Sequence, residues 1–202
     1  MYRFFVAGLL FSLSMLANAQ GYIGVAAAKS NVGIDCAGKT LCDHKGFGAK
    51  LYAGTKMSAG DPVDAVEVGV MNFGKSRSSA LVNYDDVNTP ITGISTLREV
   101  STVGLVNALT FSGVLNFTVT DGLVLTTKMG VAYVSSTVRT YVDGAPNGSV
   151  TATKFKPYLG LAASFSVDEN VKLVGSYDLT VFDVDGKKSH AGMMGLGAEV
   201  QF

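Results

Sequence analysis

The chain has 202 residues, and its 16 basic and 16 acidic side chains balance to a formal charge of zero. That neutrality gives no electrostatic basis for binding nucleic acid. Charged residues are 16% of the chain and apolar residues 48%, so the departure from the roughly 25% charge of ordinary globular domains is a deficit of charge. With 24 glycines, four prolines and no tryptophan, the composition suits a soluble secreted sandwich or a barrel whose wall faces lipid.

The first segment is a secretory signal by pattern. Arg3 supplies a positive start, residues 4–16 form an apolar run, and Ala17-Asn18-Ala19 gives the small-x-small cleavage site. Cleavage after Ala19 is expected, although an uncleaved anchor is the other reading of such a run. The mature chain from Gln20 to Phe202 would hold 202 − 19 = 183 residues, with 15 basic and 16 acidic side chains once Arg3 is gone. That is a one-domain length.

Eight alternating runs follow, at 21–29, 46–57, 63–74, 100–119, 123–137, 154–167, 171–183 and 191–202. Residues 100–119 are long enough for a membrane helix, but Leu109, Phe111, Leu115, Phe117 and Val119 alternate with mostly polar or small residues, which is the period of a strand. Three gaps are short and carry turn residues: 58–62, Thr120-Asp121-Gly122 and Asp168-Glu169-Asn170. The other four, 30–45, 75–99, 138–153 and 184–190, are longer and more polar. In an antiparallel meander alternate connections emerge at one end. All long loops therefore fall at one end and all tight turns at the other, as in bacterial outer-membrane barrels.

The last run alternates most cleanly. Gly192, Met194, Leu196, Ala198, Val200 and Phe202 form one face; Met193, Gly195, Gly197, Glu199 and Gln201 form the other. In the preceding run Leu173, Tyr177, Leu179 and Val181 oppose Lys172, Ser176, Asp178 and Thr180. A soluble sandwich buries its apolar face and charges the outside. Here the polar face is crowded with small residues, and the apolar face has almost no charge. The predicted architecture is all-β, an eight-stranded antiparallel up-and-down transmembrane β-barrel with its polar face inward. Open backbone groups are costly in lipid, which requires closure. Pro157 cannot donate to a ladder and predicts a strand end or local irregularity.

The chain resembles the small OmpA-like and OmpX-like outer-membrane β-barrel proteins. The resemblance rests on Gly21-Tyr22-Ile23-Gly24, Ala65-Val66-Glu67-Val68-Gly69, Lys156-Pro157-Tyr158-Leu159-Gly160 and the terminal Glu199-Val200-Gln201-Phe202. It implies an eight-stranded outer-membrane barrel over residues 20–202, an interior ion-pair position at Glu67, and Phe202 as part of the signal read by the outer-membrane assembly machinery. It implies no single activity, since such proteins include structural, adhesive and disputed pore-forming members. Ending at Phe202, the chain is also expected to lack the periplasmic peptidoglycan-binding domain of two-domain members.

Parity assigns Lys50, Glu67, Lys128, Lys156, Lys172, Asp178 and Glu199 to the lumen as a buried ion network, with Lys172 near Glu199 and Lys50 near Glu67 on neighbouring strands. An eight-strand barrel is wide enough only for side chains to fill. Cys36 and Cys42 share the first long loop and should form a disulfide after export; with only His44 nearby, a metal site is not expected. Ser189, His190 and Glu199 raise a lipid-modifying hydrolase, but adjacent strand residues face opposite ways. Nine residues separate His190 from Glu199, about 30 Å along a strand. No catalytic residue, metal or cofactor is therefore expected. The sequence points to a non-enzymatic envelope protein with outer-membrane lipids, lipopolysaccharide, the assembly machinery and a surface or host ligand as partners. A low-conductance pore is the alternative, and a soluble periplasmic ligand-binding barrel a remote one. Loops would lie outside and both termini in the periplasm.

Overall fold

A computed structural model of the protein describes residues 20–33, 36, 38–58, 60–84, 96–184 and 187–202. The predicted signal at 1–19 lies outside the described residues. Eight long strands follow: β1 (Gly21–Val32), β3 (Lys45–Lys56), β4 (Ala65–Tyr84), β5 (Thr96–Thr120), β6 (Leu123–Val142), β7 (Ala145–Ser166), β8 (Val171–Val184) and β9 (Lys187–Gln201). A three-residue strand, β2 (Leu41–Asp43), precedes β3 and pairs with the upper part of β4. All pairings are antiparallel, and β1 joins β9 while β4 joins β5, so the eight long strands form a closed ring. Residues 100–119 lie within β5, as their alternation requires.

The ring is apolar outside. Phe117, Phe155, Phe165, Leu196 and Phe202 are exposed, whereas Lys50, Glu67 and Asp178 are buried. Tyr133 and Phe155 pair at one end with ring centroids 5.0 Å apart; Phe117, Phe165 and Phe202 mark the other. Phe155 and Phe165 are ten residues apart on β7, about 33 Å along the strand and roughly 25 Å along a tilted barrel axis, the height of a lipid-facing band. Gly21 and Phe202 exchange two backbone hydrogen bonds of 3.0 Å beside the tight turns.

The loop-bearing end differs from expectation. The predicted loop at 138–153 is strand on both sides of a two-residue turn, Asp143-Gly144, with φ values of 49° and 79°. Positive φ at both positions is what a tight hairpin turn needs. Much of 75–99 is also sheet, continuing β4 to Tyr84 and starting β5 at Thr96, past an irregularity between Asn72 and Lys75. The predicted loop at 30–45 contains the end of β1 and all of β2. Serine and threonine make these stretches look like loops, yet threonine is β-branched and the hydroxyls of both can pair across strands. Thr137 and Thr151 sit 3.1 Å apart by their hydroxyls, and Asn72 donates to Asn107 at 2.6 Å.

Pro157 behaves as its chemistry demands. The β7–β8 ladder ends at Tyr158 opposite Thr180, one residue short of the proline that has no N–H to offer. Thr180 Oγ1 donates instead to the Pro157 carbonyl at 3.0 Å. Beyond this point β8 leaves β7 and carries Phe182 into the barrel, where it is buried.

Candidate functional site

The lumen concentrates the charge. Lys50 on β3 donates to Asp178 Oδ1 on β8 at 2.7 Å and to the Tyr158 hydroxyl at 3.1 Å, and Tyr158 in turn donates to Asp178 at 2.5 Å. Lys128 on β6 donates to Glu67 Oε2 on β4 at 2.5 Å, and the Lys50 ammonium is 3.9 Å from the other Glu67 oxygen. Tyr22 also donates to Glu67, at 3.3 Å. Lys128 lies over the Tyr52 ring, 4.3 Å from its centroid. Two cations thus meet two anions, with side-chain exposures of 6% or less. Pairing and hydroxyl donors offset the desolvation that any one of these charges would suffer alone.

Local sequence makes room for this arrangement. Tyr22 stands opposite Gly54, and Tyr52 opposite Gly24, in the β1–β3 register. Each tyrosine ring lies over the facing glycine, so a β-carbon at either glycine would collide with the ring. The rings therefore lie flat beside the wall and aim their hydroxyls at Glu67 and Glu199. Beside the ion cluster and above it, Met71, Phe73, Phe182 and Met193 fill the lumen with apolar side chains that are fully buried. Below it lies a small polar vestibule of about 150 Å³, lined by Lys56, Lys172, Glu199 and Gln201 among others.

The seven lumenal charges predicted as one network separate into three groups. Lys50, Glu67, Lys128 and Asp178 form the central cluster. Lys156 lies at the mouth and pairs with Asp183 at 2.6 Å; Lys154 pairs with the same carboxylate at 2.9 Å. Lys172 stands opposite Glu199 in register, but among the described residues no ion pair within 4.0 Å joins them. Glu199 instead accepts from Tyr52 at 3.3 Å and Gln201 at 3.1 Å. Their position beside the open vestibule is the reason: water can solvate both groups, so nothing forces them together. Tyr22 and Asp183 were missing from the sequence-based set. The Tyr22–Gly54 pairing is not visible without the register, and the parity of Asp183 points outward until β8 departs from β7.

Cys36 and Cys42 are joined in a disulfide, with Cα atoms 5.8 Å apart. His44 lies close to both sulfurs. Because those sulfurs are bonded to each other, the group offers a metal little beyond the imidazole. Ser189 donates to the Gly33 carbonyl, His190 is exposed, and Glu199 faces the lumen near the opposite end. These three residues do not assemble into a site.

No protein-family model matches this chain, and no curated protein matches it. Solved structures do. Neisserial surface protein A, NspA, is 14% identical with a TM-score of 0.50, over 90% of this chain and 97% of NspA. Ail, the attachment invasion locus protein of Yersinia pestis, solved with the heparin analogue sucrose octasulfate, is 17% identical with a TM-score of 0.52, over 91% of this chain and 99% of Ail. The shared fold is that of a small outer-membrane β-barrel.

Proposed function

We propose that this chain is a non-enzymatic integral protein of a Gram-negative outer membrane, with a structural and surface-interaction role at its loop-bearing end. The observation that carries the reading is the inversion of polarity around a closed sheet. Large apolar side chains cover the outside between two aromatic levels, while paired charges fill the inside. In water that arrangement would expose a continuous apolar wall, which soluble monomers avoid; in a bilayer it satisfies every strand.

Residues 1–19 then act as an export signal, the tight turns and both termini face the periplasm, and the β2–β4 and β6–β7 segments project outward. That projecting end is the face for a surface or host ligand; Ail, one of the similar proteins, is solved with a heparin analogue bound. The central ion cluster and the apolar side chains beside and above it support a plugged barrel over a pore. Fractionation tests the location: the protein should stay with outer membranes after urea extraction and leave only with detergent. Planar-bilayer conductance and liposome swelling test the plug. Stable openings with solute flux would establish the low-conductance pore instead, and release without detergent would establish a soluble periplasmic barrel.

A further inference from the structure

The outer wall is apolar over most of its height, but on one side its upper edge is basic. Lys188 and His190 on β9, Lys29 on β1, Lys45 on β3, and Lys75 and Arg77 on β4 are all exposed. Lys29 shares the parity of Ile23 and Val25, and Lys45 that of Phe47 and Leu51, so these side chains leave the wall rather than enter the lumen. The four strands are consecutive around the sheet.

Register brings the residues together. Lys45 is opposite Asn31, which places it diagonal to Lys29, about 7–8 Å away. The backbone of Lys75 borders Gly46, and Arg77 follows on the same face about 7 Å further along. Gly33 donates to the His190 carbonyl at 2.8 Å, setting the end of β9 beside that of β1.

Among the described residues none of the six takes part in an ion pair within 4.0 Å. The carboxylates of the same four strands, Glu67 and Glu199, face the lumen. Asp43 of β2 faces Arg77 in register and accepts from the Lys45 backbone N–H at 3.1 Å. The tight-turn end has the opposite character, with Asp61, Asp64, Asp121, Asp168 and Glu169 in or beside its turns.

Directly below Lys29 the wall is hollowed. Ala27, Ala163 and Gly175 lie low between the taller Leu161, Tyr177 and Leu196, and Lys29 closes the upper end of a groove of about 680 Å³. Such a groove suits a hydrocarbon chain, and unpaired cations at its head suit phosphate. A soluble anion would use the cations and leave the groove empty; an apolar partner would use the groove and leave the cations unpaired. One amphiphile uses both.

From this geometry we infer that the face running from β4 through β3, β1 and β9 to β8 and β7 is a binding site for a phosphorylated, multi-chain lipid of the surrounding leaflet, the lipid anchor of lipopolysaccharide. Lys29, Lys45, Lys75 and Arg77 hold the phosphates and the groove takes an acyl chain. This rests on the outer-membrane reading and adds to it a defined lipid, a face and a set of residues.

The test uses the full mature chain folded into three vesicle types: phosphatidylcholine alone, phosphatidylcholine with diphosphorylated lipid A, and phosphatidylcholine with dephosphorylated lipid A. Folding is read by heat-modifiable gel mobility, and lipid retention by native mass spectrometry after detergent extraction. Wild-type protein should fold in all three and retain the phosphorylated lipid about tenfold or more over the dephosphorylated one, the scale expected when several near-surface cations meet phosphate. Combining Lys29→Gln, Lys45→Gln, Lys75→Gln and Arg77→Gln should abolish that preference, and Gly175→Phe should weaken retention by filling the groove. Equal retention of both lipids by folded wild-type protein would overturn the site while leaving the barrel reading intact, and this comparison needs no variant. Failure to fold in any vesicle would overturn the barrel reading and the lipid site with it.

Discussion

Lys50 and Asp178 are 128 residues apart in the chain and meet at 2.7 Å inside the barrel, with β1 and β9 intervening between their strands. The contact therefore runs across the lumen rather than along one pair of strands. With Lys128 and Glu67 beside it, it ties β3, β4, β6 and β8 together at mid-height.

Removing one member of this cluster should cost far more than removing two opposed members. Asp178→Ala leaves Lys50 buried with the neutral Tyr158 hydroxyl and a 3.9 Å approach to Glu67, a loss of roughly 3–5 kcal/mol. Lys50→Met combined with Asp178→Leu should recover most of it. Urea unfolding in lipid vesicles measures both. A double variant no more stable than Asp178→Ala would mean that the cluster is held by more than its charge pairing.

The two lumenal glutamates should behave differently. Glu67→Ala leaves Lys128 without its ion-pair partner and should lose roughly 3–5 kcal/mol. Glu199 borders the vestibule and holds only hydrogen bonds from Tyr52 and Gln201, so Glu199→Ala should lose about 1 kcal/mol. The same unfolding experiment ranks them; equal losses would show that Glu199 is as dry as Glu67.

The disulfide should govern β2 rather than the barrel. Cys36 and Cys42 close a short loop whose last residue pairs with Ser78 of β4. Reduction, or replacement of both cysteines by serine, should speed hydrogen exchange at Leu41–Asp43 and leave global unfolding within about 1 kcal/mol of wild type. Loss of the folded gel mobility on reduction would refute this division.

Asp183 gives the mouth an acid sensitivity. Hydrogen bonds from Lys154 and Lys156 draw its carboxyl down from an ordinary value of 3.8 to about 2. Because the folded value is the lower one, this contribution to stability is complete above about pH 4 and disappears as the pH falls through about 2. Wild-type and Asp183→Asn proteins should therefore differ in unfolding midpoint at pH 6 and converge towards pH 2. A difference that persists at pH 2 would place its origin outside this carboxylate.

Phe202 is exposed on the lipid-facing side of the chain end, the position proposed for the assembly signal. Its deletion should slow insertion in cells and raise the degraded or chaperone-bound fraction, while the purified variant refolds into detergent with nearly unchanged stability. Heat-modifiable mobility in both settings separates the roles. Equal losses would make Phe202 a stability residue, and normal cellular assembly would remove the targeting role.

Alternation and turn chemistry in the sequence carry the fold class, the inward and outward faces and the tight turns near 120–122 and 168–170, whereas the gap read at 58–62 is a longer connection from Lys56 to Ala65. Side chains on a strand alternate with a strict period of two, and lipid tolerates few errors of parity. Inward placement of Lys50, Glu67, Lys128 and Asp178 was legible from that alternation alone. Their choice of partners was not, because partnership across a lumen depends on shear and on which strands face one another. Thus Lys172 and Glu199, correctly opposed by counting, remain unpaired beside water, while Lys156 finds Asp183 only because the ladder ends at Pro157. The polar stretches at 75–84 and 138–153 were likewise undecidable locally. Serine and threonine serve loops and strands alike, and only pairing with a neighbour already in place makes them sheet.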